Sequence, residues 1–187
     1  MSCLDGAWRR VSVTVLAERP VEVSDVWWLV CHGTFADLRV LRTPGGEVLP
    51  YSATQAFAGT CSRDPRTGDA RWDAEVDTVD RPAVVNGALH PDPRDARVLT
   101  EVGEDFTETW VRMDADGAPA AALREAGVVL VAVGPYAVAV GPTGGARFQR
   151  AASGWVLLDE VGAAPLAAGD VDGAERSGWT ALPVPTG

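Results

Sequence analysis

The chain contains no lysine: all 16 of its basic residues are arginine, set against 26 Asp and Glu. That absence excludes a phosphate-binding loop built on lysine and any Schiff-base chemistry. The net charge of −10 argues against nucleic acid or an anionic membrane as partner, since both need clustered positive charge. Histidine is scarce, with only His32 and His90. The three cysteines, Cys3, Cys31 and Cys61, form no disulfide framework and have no paired ligand spacing, so no metal site is expected. Long apolar runs are missing too. The longest, 127–140, is broken by Gly134-Pro135 and is too short to span a bilayer. The start, Met-Ser-Cys-Leu-Asp-Gly, shows no basic segment followed by an apolar one, so a cytoplasmic protein with reduced thiols is expected. A Gly-x-Ser-x-Gly elbow and dinucleotide or haem signatures are absent. Asp114-x-Asp116-Gly117 and Asp170-x-Asp172-Gly173 each lack a third early ligand and read as turns rather than calcium loops. No cofactor is expected.

What is present is a succession of strand-like runs in 187 residues, of which 47% are hydrophobic, enough for one domain with a real core. Runs at 9–17, 25–31, 34–42, 54–61, 70–79, 97–102 and 106–113 are separated by turn signals such as Pro44-Gly45-Gly46 and Asn86-Gly87. Two hairpins follow, around Gly134-Pro135 and around Ser153-Gly154. The alanine-rich stretch 118–126, stopped by Gly127, reads as the one short helix. The segment 163–187, rich in Ala, Gly and Pro, reads as irregular and packed on the body, with Trp179 as its anchor. Hairpin-linked strands of this kind suit an all-β, antiparallel up-and-down barrel of about 8–10 strands, whose closure removes exposed edges and leaves a cavity.

Two of these runs carry unusual faces. Successive strand side chains point to opposite sides, so Phe35, Asp37 and Arg39 share one face, and Phe106, Glu108, Trp110 and Arg112 share another. Each face combines aromatic rings with opposite charges, as a polar pocket lining does. By parity Gln55 goes with Phe57, and Tyr136 with Val138 and Val140. The opposite choice of faces would turn Ala36, Leu38, Val40, Ala56 and Ala58 inward and give a plain apolar interior. Both choices are open at this level. Trp27-Trp28 puts one indole on each side of its strand, and Trp28 is assigned to the interior.

The ordered motifs Trp27-Trp28, Gly33-Thr34-Phe35-Ala36-Asp37-Leu38-Arg39, Ala56-Phe57-Ala58-Gly59-Thr60, Trp72 with Asp77, Thr100-Glu101 and Thr107-Glu108-Thr109-Trp110 resemble a lipocalin-like (calycin) family. That family is typified by a fungal casein-kinase-interacting protein and has bacterial relatives. The resemblance spans roughly 25–113 and implies a small β-barrel with an interior cavity. This chain has room for one such barrel, taken as a single domain over 1–187. Asp73-Ala74-Glu75 follows Trp72 where the resemblance leads one to expect a histidine.

The candidate catalytic residues are Asp37, Arg39, Glu108 and Arg112. The arginines would clamp or polarise an oxyanion through their fork of donors. A carboxylate in a dry pocket has a tunable pKa and could move protons. Candidate substrate-binding residues are Trp28, His32, Phe35, Gln55, Phe57, Trp110 and Tyr136, with His32 as an acid or base at the cavity mouth. The expected partner is a small organic molecule, with a homodimer left open. Three functions compete: a cofactor-free acid–base enzyme (cyclisation, isomerisation or dehydration), a passive carrier, and a protein-interaction barrel. Charges inside the barrel favour the first, a small apolar interior the second, and a filled interior the third.

Overall fold

The computed structural model describes residues 4–15, 24–42, 55–79, 84–115 and 117–178. Cys3, the turn at Pro44-Gly45-Gly46 and Trp179 fall outside them. The first eight strands are β1 (Gly6–Val15), β2 (Ser24–Cys31), β3 (Thr34–Leu41), β4 (Gln55–Arg63), β5 (Asp69–Asp77), β6 (Val84–Pro91), β7 (Val98–Val102) and β8 (Phe106–Arg112). Each pairs antiparallel with the next, and β8 returns to β1, so the barrel closes. This is the up-and-down architecture of lipocalins. Five further strands, β9 (Ala120–Glu125), β10 (Val128–Val133), β11 (Tyr136–Gly141), β12 (Gly144–Ala151) and β13 (Gly154–Gly162), form a separate antiparallel sheet. A helix, α1 (Ala168–Arg176), lies beyond it.

This second sheet settles the question of parity. Ala36, Leu38, Val40, Ala56 and Ala58 point out of the barrel and pack with Val129, Val131, Val138 and Val140 of the sheet. The apolar faces are therefore satisfied outside, which leaves the charged faces of β3 and β8 turned inward. Small residues let the layers approach: a Cβ on Gly145 would stand 2.8 Å from Ala56 Cβ and from Leu38 Cδ1. Two arginines fasten the layers at opposite ends. Arg147 bonds Asp25 at 2.6 Å and Asp159 at 2.7 Å and lies over the Trp27 ring at 4.7 Å. Arg124 reaches Glu75 at 2.8 Å and Thr34 at 3.1 Å. Burial alone would raise the Asp25 carboxyl, but the bond and charge of Arg147 hold it below its ordinary value.

Three expectations from the sequence are corrected. The alanine-rich stretch 118–126 is not the helix: residues 120–125 are strand β9, paired to β10 through a tight turn at Ala126 and Gly127. Both turn residues have positive φ, 48° and 80°, so Gly127 closes a hairpin rather than capping a helix. The helix instead lies at 168–176, within the segment expected to be irregular, and it packs on the sheet rather than on the barrel. Val171 is fully buried there with Phe148 and Trp155, while Glu175 accepts the Trp155 indole N–H at 2.9 Å. Asn86-Gly87 is not a turn but the middle of β6. Among the described residues no helix is long and apolar enough to cross a membrane.

Candidate functional site

The barrel interior contains a cavity of about 360 Å³. Its indole walls are Trp28, Trp72 and Trp110, with ring centroids 5.8 and 5.5 Å from Trp28. Phe57 and Phe106 add aromatic surface. The charged lining consists of Arg10, Asp37, Arg39, Glu101, Asp105 and Glu108. Asp37, Arg39, Glu108, Trp28, Phe57 and Trp110 are thus brought together as the sequence predicts.

Other candidates stand elsewhere. Phe35 lies beneath the lining, fully buried, with its ring edge-on to Phe57 at 5.3 Å. Gln55 is half-buried and directly opposite Arg39 in the β3–β4 register, on the strand face that Phe57 shares. Arg112 keeps its parity with Trp110 but sits one pair further along β8, opposite Trp8, where it bonds Asp114 at 2.9 Å. His32 occupies the β2–β3 turn, at the end of those strands remote from Asp37 and Arg39, and its side chain is 79% exposed. Its positive φ of 49° beside Gly33 at 76° fits a two-residue hairpin turn. Tyr136 belongs to the second sheet and meets Trp27 outside the barrel at 5.2 Å.

Three charged lining residues, Arg10, Glu101 and Asp105, are not among the candidates of the sequence reading. Arg10 faces inward because of a bulge: the β1–β8 register shifts between Arg10 and Ser12, so Arg10 pairs Trp110 while Val13 pairs Glu108. One inserted residue reverses the parity, which leaves Val11 exposed and separates it from the face of Val13. Glu101 lies on β7, directly opposite both Leu89 of β6 and Glu108 of β8. Gly87 makes room for it: a Cβ there would meet Glu101 Oε1 at 3.1 Å and the Trp72 ring at 3.4 Å. The presence of Thr100-Glu101 among the ordered motifs was the available signal, though nothing in it fixed the face.

Arg10, Asp37, Arg39 and Glu108 form one connected network. Arg39 bonds Asp37 at 2.9 Å and approaches Glu108 to 4.0 Å. Arg10 bonds Glu108 and the Ser24 hydroxyl. Burial works against the charge of Arg39, but Asp37 and Glu108 outweigh it and push its pKa above the ordinary arginine value. Glu101, 6% exposed, accepts one hydrogen bond, from Trp110 Nε1 at 3.1 Å. Its burial, and secondarily the Glu108 carboxylate opposite, push its pKa from 4.5 up to about 8. Glu101 is therefore mostly protonated at neutral pH, a neutral acid among aromatic rings.

No chemistry of this kind attaches to the two described cysteines. Burial pushes Cys31 to about 11 and Cys61 to about 12, Asp5 adding to both, so each stays an unreactive thiol. Among the described residues no group of three or more His, Cys, Asp and Glu side chains could hold a metal ion.

No known protein family matches the chain by sequence, and no curated protein matches it. Among solved structures, the chain is similar to the crystal structure of a lipocalin-like protein from Bacteroides uniformis. The TM-score is 0.43 with 14% identity over 60% of this chain and 100% of that one.

Proposed function

We propose that the barrel binds a small organic molecule in its cavity and acts on it by cofactor-free acid–base chemistry such as isomerisation, cyclisation or dehydration. The observation that carries this reading is Glu101: a buried carboxyl with a pKa of about 8, facing a 360 Å³ cavity walled by indoles. General acids and bases work best with a pKa near the ambient pH. Environments that separate the behaviour of neighbouring carboxyls assign them different tasks. Here Asp37 and Glu108 are engaged by arginines, while among the described residues Glu101 is bonded only by an indole. Glu101 then holds the transferable proton, and the Asp37–Arg39 and Glu108–Arg10 pairs fix the walls. Trp28 Nε1, buried without an acceptor among the described residues, favours a ligand that brings a hydrogen-bond acceptor of its own.

A carrier would use the same cavity. The observation favouring that second reading is that both lining arginines are already paired, which leaves neither as an uncommitted oxyanion clamp. Native mass spectrometry of freshly purified protein, followed by release and identification of any retained compound, tests the common part. Returning that compound to wild-type protein separates the readings: an enzyme converts it, with loss of turnover in Glu101→Gln, and a carrier returns it unchanged. Absence of any retained or rebound organic compound would count against both.

A further inference from the structure

We infer that the ligand of this cavity carries a positive charge, as an organic ammonium ion. The inference rests on the cavity being the ligand site, and it names the class of molecule taken there. The first support is the charge of the lining, where two guanidiniums, Arg10 and Arg39, face four carboxyls, Asp37, Glu101, Asp105 and Glu108. Both guanidiniums are committed to those carboxyls, so an entering anion would meet surplus carboxyls and no uncommitted cation. Glu101 lacks an ionic partner among the described residues and is set directly against Glu108 across the β7–β8 pair. An ionised Glu101 would meet the like charge of Glu108, which helps keep it protonated in the empty cavity. A cation placed between them would let both carboxyls carry charge.

The second support is the wall itself. Trp28, Trp72 and Trp110 line the same cavity as Glu101, and Trp110 is hydrogen-bonded to it. Indole faces attract cations, more strongly where water is excluded. The site already shows the preference, since the Arg39 guanidinium lies 5.3 Å from the centre of the Phe57 ring. An ammonium group beside Glu101 would gain a carboxylate and an aromatic wall together.

Uptake of such a cation has a proton balance. The ammonium enters with its charge, Glu101 gives up its carboxyl proton to solvent, and an ammonium–carboxylate pair remains. No oxidant or other reactant is required. The charged groups that share the cavity with Glu101 are Glu108 on β8, Asp105 just before that strand, Asp37 and Arg39 on β3, and Arg10 on β1. Its neighbours on β5 and β6 are Trp72, Gly87 and Leu89, which do not titrate in this range. The carboxyl of Glu101 is thus the group whose proton is exchanged for the ligand.

The test uses three probes of nearly equal shape: 2-phenylethylamine, 2-phenylethanol and 3-phenylpropionate. Binding to the whole protein is followed by tryptophan fluorescence and by calorimetry in buffers of different ionisation enthalpy. The amine should bind about tenfold or more tightly than either other probe at pH 8.5. Its affinity should fall by up to about tenfold per pH unit below pH 8, with close to one proton released per amine at pH 6.5. Glu101→Gln should abolish the proton release and the preference, so that the amine binds no more tightly than 2-phenylethanol. Preference for the carboxylate, or equal binding of amine and alcohol without proton release, would overturn the cationic class and leave the cavity as a ligand site. If none of the three binds, both the inference and the ligand reading fall.

Discussion

Replacing Glu101 by Gln should stabilise the protein at neutral pH, and the size of the gain follows from the site. In the folded chain this carboxyl titrates at about 8, against an ordinary value of 4.5. Below pH 4.5 it is protonated in both the folded and unfolded states and costs nothing by linkage. As the pH rises from 4.5 to 8 the unfolded chain ionises while the folded one keeps its proton, so stability is progressively lost. At pH 7 that loss is about 3 kcal/mol, and above pH 8 it levels off. Glutamine matches the shape of the neutral acid, accepts the Trp110 N–H equally well and cannot ionise. The variant should therefore unfold roughly 6–12 °C above wild type at pH 7, using about 2–4 °C per kcal/mol for a chain of this size. Near pH 4 the two should coincide. Guanidinium unfolding followed by tryptophan fluorescence between pH 4 and 9 measures the gap directly. A gap that does not change with pH, or a variant less stable at pH 8 than wild type, would refute the reasoning. Holding an acid that weakens the fold where it faces a cavity is the trade of stability for function expected at a working site.

Other perturbations follow from the same geometry. Gly87→Ala should crowd Glu101 Oε1 and the Trp72 ring, costing about 1–3 kcal/mol and weakening ligand binding, both measurable by denaturation and by titration. Arg147→Met would remove the shared partner of Asp25 and Asp159, half-buried carboxylates that keep Arg9 and Arg42 as their other partners. The expected loss is about 1.5–3 kcal/mol at pH 7. Because Asp25 has a lowered pKa, the contribution of its pairing is present above its unfolded value and fades as the pH falls through the folded one, so the penalty should shrink in acid unfolding experiments. Val171→Ala, at the contact of α1 with the second sheet, should cost about 1.5–2 kcal/mol by loss of buried methyl groups, seen as a lower unfolding midpoint. Thiol reagents should label Cys31 and Cys61 slowly in the native protein and quickly in denaturant.

The faces of single strands were legible because they depend on alternation alone. Trp27 and Trp28 do point to opposite sides, and Asp37, Arg39, Glu108 and Trp110 do share one interior. What alternation could not decide was which side is inside, since that depends on the second sheet covering Ala36, Leu38 and Val40. Arg10 was hidden by a bulge at Val11, where one extra residue exchanges the faces. Glu101 was hidden by register: its importance comes from lying opposite Glu108, a pairing between strands that no single run contains. Gly87 reads as a turn residue because glycine serves both turns and close approach, and here the approaching group is the cavity carboxyl. Tyr136 was placed by parity within its own strand, yet that strand belongs to a different sheet. The stretch 118–126 carried helix-favouring alanines, and its hairpin with 128–133 overrode that preference.

The most direct test of the central claim is a carbon-13 NMR titration of the Glu101 side-chain carboxyl, assigned by comparison with Glu101→Gln. A resonance that remains protonated at pH 7, titrates near 8 and shifts to the ionised form when 2-phenylethylamine is added would support a ligand cavity built around a neutral acid. A carboxyl that titrates near 4.5 and does not respond to the amine would contradict it.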